Sequence, residues 1–136
     1  MKMKHTCRTY FRISGDFEPR ELAALFGLRA HDMRKKGERY GRAGRIAEES
    51  ELTLGYNERY EVNINDMLRK TLTGIIDKAD ILRRMREEAG LSYALVAVPE
   101  IAHESSEPTP ILSPEADIIE FLHTSGALYD LDYYIL

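Results

Sequence analysis

Asp130, Asp132 and Tyr134 recur at every second position near the end of the 136-residue chain. Successive side chains of an extended strand point to opposite faces, so these three share one side and the two carboxylates stand about 6–7 Å apart. That spacing suits a general acid and base pair or a hard cation. A calcium ion takes six or more oxygen ligands, however, and the flanking sequence offers no clustered set. Pairing across the sheet with Arg12 satisfies the carboxylates with fewer requirements, and is worth only about 0.2–1 kcal/mol in the open. Arg12, Asp130, Asp132 and Tyr134 therefore form a candidate interaction surface.

A second cluster is basic. Arg29, Arg34, Lys35, Lys36, Arg39, Arg42 and Arg45 stand against Asp32 and Glu38, a net of +5 over residues 29–45, with Tyr40 among them. Arg34, Lys35, Lys36, Arg39 and Arg42 form a candidate anion-binding loop, because each phosphate contact adds salt-dependent affinity. Gly37, Gly41 and Gly44 interrupt the charges, but no Gly-Lys-Ser/Thr follows them, so a nucleotide phosphate loop is not expected.

The remaining reactive side chains do not converge. His5, His31, His103 and His123 are far apart in sequence, and no two sit at metal-ligand spacing. His103 with Glu100, Glu104 and Glu107 reads as a polar loop before Pro108. Cys7 is the single cysteine, which excludes an intrachain disulfide and a multi-cysteine metal site. No serine lies in a Gly-x-Ser-x-Gly elbow. Neither a catalytic set nor a metal or cofactor site is expected.

The elements that must position these residues follow from periodicity. Thr9, Phe11 and Ile13 alternate with Tyr10, Arg12 and Ser14 as a half-buried strand. Pro19 opens a helix carrying Leu22, Leu25 and Phe26 before the Gly27 stop. From residue 29 to 50 the apolar period disappears, and the expectation is a long, mobile basic loop. Leu52, Leu54 and Tyr56 face inward on a second strand. Asn63 or Asn65 caps a helix bearing Leu68, Leu72, Ile75 and Ile76, and Gly74 breaks it from a second helix ending near Gly90. Residues 91–98 are a continuous apolar run that reads as a central strand limited by Pro99. Ser113-Pro114-Glu115 starts a last helix with Ile118, Ile119, Phe121 and Leu122, stopped by Gly126. Tyr129, Leu131, Tyr133 and Ile135 then face inward on a final strand.

Strand, helix and Gly stop occur at both ends of the chain, with a helix pair between. The simplest assembly is a single α+β domain over residues 1–136. It has a four-stranded, mostly antiparallel sheet with helices on one face, in a ferredoxin-like split β-α-β plan. The last strand would lie antiparallel beside the first; a mixed sheet with another strand order is the alternative.

Composition places the chain among ordinary globular proteins, with 43% hydrophobic and 31% charged residues. No apolar run reaches the roughly 20 residues of a membrane span, nor does the start read as a secretory signal, so a cytoplasmic protein without membrane contact is expected. The net charge of −4 hides a division. Residues 1–90 hold all 19 Lys and Arg, whereas residues 91–136 hold eight acids and none of either. Such asymmetry points to a charged partner or to internal pairing.

Two blocks of residues carry a family resemblance. Phe11, Ile13, Gly15-Asp16-Phe17, Pro19, Leu25, Gly27-Leu28 and Lys36-Gly37 form the first. The second runs through Thr109-Pro110, Leu112, Ser113-Pro114-Glu115, Phe121-Leu122, Gly126-Ala127, Asp130-Leu131-Asp132 and Tyr134. Together they resemble the bacterial family called domain of unknown function 4279. One departure is that the family's middle strand usually opens with tryptophan, where this chain has Glu51-Leu52-Thr53. The resemblance implies a small bacterial α+β domain and no particular reaction.

From these readings the leading expectation is a non-catalytic module that binds a protein partner through the acidic C-terminal part, an immunity-type neutraliser of a basic or nuclease-like toxin being one form of it. The alternative is a binder of an anionic small molecule or RNA through the basic loop and open sheet face. An open face with Tyr10 and Tyr134 could also bury itself in a homodimer.

Overall fold

The computed structural model describes residues 5–59, 63–103, 105, 108 and 110–136. The first strand, β1 (Thr6–Gly15), alternates as its sequence dictates. Cys7, Thr9, Phe11 and Ile13 are buried, and Arg8, Tyr10, Arg12 and Ser14 occupy the other face. Glu18 caps α1 (Pro19–Phe26), with Pro19 in its first turn and Gly27 at its end. Leu22, Ala23 and Phe26 enter the core, whereas Leu25, expected there, is exposed.

Residues 29–50 are not the elementless loop the lost periodicity implies. They contain β2 (Asp32–Arg34) and a small hairpin of β3 (Arg39–Tyr40) and β4 (Arg45–Ile46). These strands have no apolar stripe because pairing and polar contacts hold them. The Lys36 amide donates to Ser50 Oγ at 2.9 Å, Ser50 Oγ donates to the Phe17 carbonyl at 2.8 Å, and β2 pairs antiparallel with the next strand.

That strand, β5 (Ser50–Glu58), buries Leu52 and Leu54 opposite Ile13 and Phe11. The register then shifts between Thr9 and Phe11, where Gly55 holds φ at +67°. This bulge reverses the alternation. Tyr56, expected inward, therefore lies on the open face, and Asn57 takes the buried side.

Asn63 caps α2 (Ile64–Thr71), its side-chain oxygen accepting from the Asn65 amide at 3.1 Å. A 3-10 turn (Ile76–Lys78) leads into α3 (Ala79–Ala89), which stops at Gly90. The central strand, β6 (Ser92–Ile101), passes through Pro99 instead of ending there. The carbonyls of Ala97 and Ile101 accept from the amides of Asp132 and Leu136, so the missing N–H of Pro99 falls on that same side. It meets the gap between β7 (Leu128–Leu131) and β8 (Tyr134–Ile135), where no ladder bond is needed. Between β6 and β7 runs α4 (Ala116–Ser125), with Ile118 and Phe121 buried and Ile119 exposed.

The architecture is α+β, as expected, and the described residues form four α-helices on a mixed sheet of order β2-β5-β1-β6-β7, with β8 pairing with β6 beyond β7. Among the described residues the sheet has six strands instead of the expected four, and the last strands run parallel to β6 rather than antiparallel beside β1. The two ends share a local plan but not a connection. From β6 the chain crosses over through α4 to a parallel neighbour, while after α1 the extra strands let it return antiparallel to β1. Periodicity assigns a strand's faces and not its neighbours. Phe11, Ile13, Leu52, Leu54, Tyr93 and Leu95 form one core with buried residues of all four helices. On the opposite face Ala94, Val96 and Val98 cluster with Tyr10.

Candidate functional site: the open face of the sheet

Register fixes what the open face can bring together. Arg12 is opposite Ala94, which is opposite Leu128; Tyr10 is opposite Val96, which is opposite Asp130; and Glu100 is opposite Tyr134. Arg12, Tyr10, Asp130 and Tyr134 thus share a face, but β6 stands between the basic and the acidic members. Two strand spacings separate them by about 9–10 Å. The expected pairing of Arg12 with these carboxylates does not form, and Arg12 has no ion-pair partner among the described residues. Arg8 instead approaches Glu100 at 3.9 Å, and Asp132 accepts from the Tyr134 hydroxyl at 3.2 Å.

The acidic side is a sheet edge. Tyr129 anchors β7 to the core, donating its hydroxyl to the Leu112 carbonyl at 2.9 Å, and burial pushes its pKa up to about 12. Outward from that anchor, Leu128 is 70% and Ile135 is 69% exposed, with Leu131, Tyr133 and Leu136 beside them. Among the described residues no strand pairs with the outer side of β7, and neither Asp130 nor Asp132 meets a Lys or Arg. Two acids on the last helix and its cap are paired. Arg69 reaches Glu115 at 2.5 Å and Asp117 at 2.9 Å, and it holds the Asp117 carboxyl below its usual range.

The basic loop meets its own acids. Lys35 pairs with Glu18 at 2.8 Å, Lys36 with Asp16 at 3.3 Å and Arg34 with Glu51 at 3.6 Å. The Arg34 guanidinium also lies 3.7 Å from the centre of the Tyr40 ring, and Arg39 donates to the Gly44 carbonyl at 3.1 Å. Of the five candidate anion-binding residues, only Arg42 lacks such a contact among the described residues. The division between basic and acidic halves is thus met partly by pairing within the first half and partly by Arg8 and Arg69 reaching across to Glu100, Glu115 and Asp117, and Asp130 and Asp132 at the C-terminal edge have no ion-pair partner among the described residues.

Sequence reasoning missed a stack of rings. His31 and Tyr56 lie 3.9 Å apart at 6°, and Tyr10 follows 6.3 Å from Tyr56. The His31 amide donates to the Thr53 carbonyl at 2.9 Å, and the Tyr56 hydroxyl donates to Glu58 at 2.7 Å, which sets both rings. Gly55 carried the available signal, because an isolated glycine inside a strand pattern marks a bulge. Of the other singled-out residues, Cys7 is buried and its thiol is pushed up to about 11 by desolvation. His5 is buried and its Nδ1 accepts from the Ala102 amide at 3.0 Å. Glu104 and Glu107, grouped with His103 above, lie outside the described residues.

No helix among the described residues is long and apolar enough to cross a membrane. Neither the curated proteins nor the solved structures contain a significant match to this chain. A family model matches residues 5–136, which takes in both sheet edges, the ring stack and every described helix. The chain belongs to the family described as domain of unknown function 4279.

Proposed function

We propose that the chain is a protein-binding module that accepts an extended, basic segment of a partner as an added strand along β7. The observation that carries this reading is the outer edge of β7. Among the described residues it combines an unpaired backbone ladder with exposed Leu128 and Leu131 and with Asp130 and the adjoining Asp132, which form no ion pair with Lys or Arg. Strand addition draws affinity from main-chain hydrogen bonds and specificity from alternate side chains. Natural edges are commonly protected by Lys, Pro or a bulge, and residues 128–136 contain neither Lys nor Pro.

Charge selects the kind of partner. Residues 91–136 contain no Lys or Arg, so a second copy paired on this edge would oppose carboxylate to carboxylate, which is destabilising. A partner strand bearing Lys or Arg would meet Asp130 and Asp132 with complementary charge and gain in association rate. A basic toxin of the nuclease kind has this chemistry, and the module would act by occupying it.

The test is capture from the native host with the chain as bait at low and moderate salt. The wild type is expected to hold a protein that Asp130→Lys releases and Arg42→Gln keeps. Equal retention by Asp130→Lys, or no protein retained at either salt, contradicts the reading.

A further inference from the structure

The opposite half of the open face has its own equipment, independent of the β7 edge. The stacked His31 and Tyr56 rings divide two depressions. One, of about 370 Å³, is bounded by Tyr10, Arg12, His31, Asp32, Thr53 and Tyr56, with Glu51, held by Arg34, at its margin. The other, of about 460 Å³, lies across the stack and includes Arg29 and Lys70. Arg12, Arg29 and Lys70 have no ion-pair partner among the described residues. The Asp32 carboxylate and the Tyr10 hydroxyl have no side-chain hydrogen bond among them either.

We propose that the depression between Tyr10 and the His31–Tyr56 stack binds a nucleoside phosphate, with the base against the rings and the phosphate on Arg12. The parts match that chemistry. An aromatic face stacks any base, and an already ordered ring pair loses little freedom when a third ring joins it. Asp32 and Thr53 stand opposite one another on β2 and β5, and Thr53 is opposite Arg12 on β1. Acceptor, hydroxyl and cation therefore form one row across three strands. The carboxylate can take the amino or imino hydrogens of a base edge, and the guanidinium can take phosphate oxygens in a fork. Arg29 and Lys70, beyond the stack, would meet the next phosphate of a chain.

The candidate anion-binding residues Arg34, Lys35, Lys36, Arg39 and Arg42 do not line these depressions. Lys35 and Lys36 are held by Glu18 and Asp16, so Arg12, Arg29 and Lys70, which flank the rings, replace those five residues as the anion-binding groups.

Calorimetric titration with adenosine monophosphate, inorganic phosphate and a short single-stranded oligoribonucleotide tests the proposal. The nucleotide is expected to bind and inorganic phosphate not to. His31→Ala and Arg12→Gln should each weaken binding by about tenfold, the order that one lost base stack or charged contact implies. Lys70→Gln, at an exposed position, should weaken only the oligonucleotide, and Arg42→Gln should change nothing. Comparable affinity for mononucleotide and oligonucleotide identifies a free nucleotide as the natural source. An oligonucleotide bound about tenfold more tightly, with the salt dependence of a second phosphate contact, identifies single-stranded RNA. Both results support the site. Phosphate binding as tightly as the nucleotide, an affinity indifferent to Arg12→Gln and His31→Ala, or no binding by any probe overturns it.

Discussion

Gly55 sits at φ +67°, and a Cβ built on it would fall inside the carbonyl of Thr71 at the end of α2. The Thr71 hydroxyl donates to the Gly55 carbonyl at 2.7 Å, which draws helix and strand to this distance. The strand bulges there, Tyr56 turns outward, and the ring stack becomes possible. Gly55→Ala is expected to destabilise the fold by about 2–4 kcal/mol, since left-handed backbone and a backbone clash add. Urea unfolding checks this, and a change within experimental scatter would refute the account of the bulge. Three buried groups set the alkaline limit. Cys7 is raised from 9.0 to about 11, and Tyr93 and Tyr129 from 10.0 to about 12, all chiefly by burial. The unfolded chain releases these protons first, so the stability they contribute is present below pH 9 and is lost as the pH rises through about 11 to 12. Denaturation midpoints across this window should fall steadily.

At the level of elements, legibility followed the source of each element's order. The helices of residues 19–26, 64–71, 79–89 and 116–125 announce themselves by apolar stripes, because each buries a face against the sheet; Gly27, Gly90 and Gly126 stop three of them, Glu18 and Asn63 cap two, and the last begins at Ala116 rather than at the expected Pro114. The strands β2, β3 and β4 gave no such pattern. They are held by pairing, by Ser50 and by the Lys35–Glu18 and Lys36–Asp16 pairs, none of which has a period. Alternation carried straight through Gly55 points Tyr56 inward, and the bulge at Gly55 turns it outward. Strand order was the least legible, since the same βα plan closes parallel at one end and antiparallel at the other. At the edge itself, Leu128→Lys should leave the melting temperature nearly unchanged, as that side chain is 70% exposed, yet remove partner capture. A large loss of stability would instead make β7 a packing element.

The whole molecule is organised by charge across one sheet. Among the described residues, Arg12, Arg29 and Lys70 on the β2–β5 side have no ion-pair partner and surround stacked rings, the middle is apolar at Ala94, Val96 and Val98, and Asp130 and Asp132 on the β7–β8 side have no ion-pair partner either. Net charge describes neither side, and the candidate surface of Arg12, Asp130, Asp132 and Tyr134 divides into two. The separation implies that the two sites can be disabled one at a time: Asp130→Lys should abolish protein capture without altering nucleotide affinity, and His31→Ala should do the reverse. The most direct test of the protein-binding account is amide hydrogen exchange on the complex with the captured partner. The account predicts new protection at residues 128–131, the signature of an added strand. Protection confined to residues 31–56, or none on β7, would contradict it.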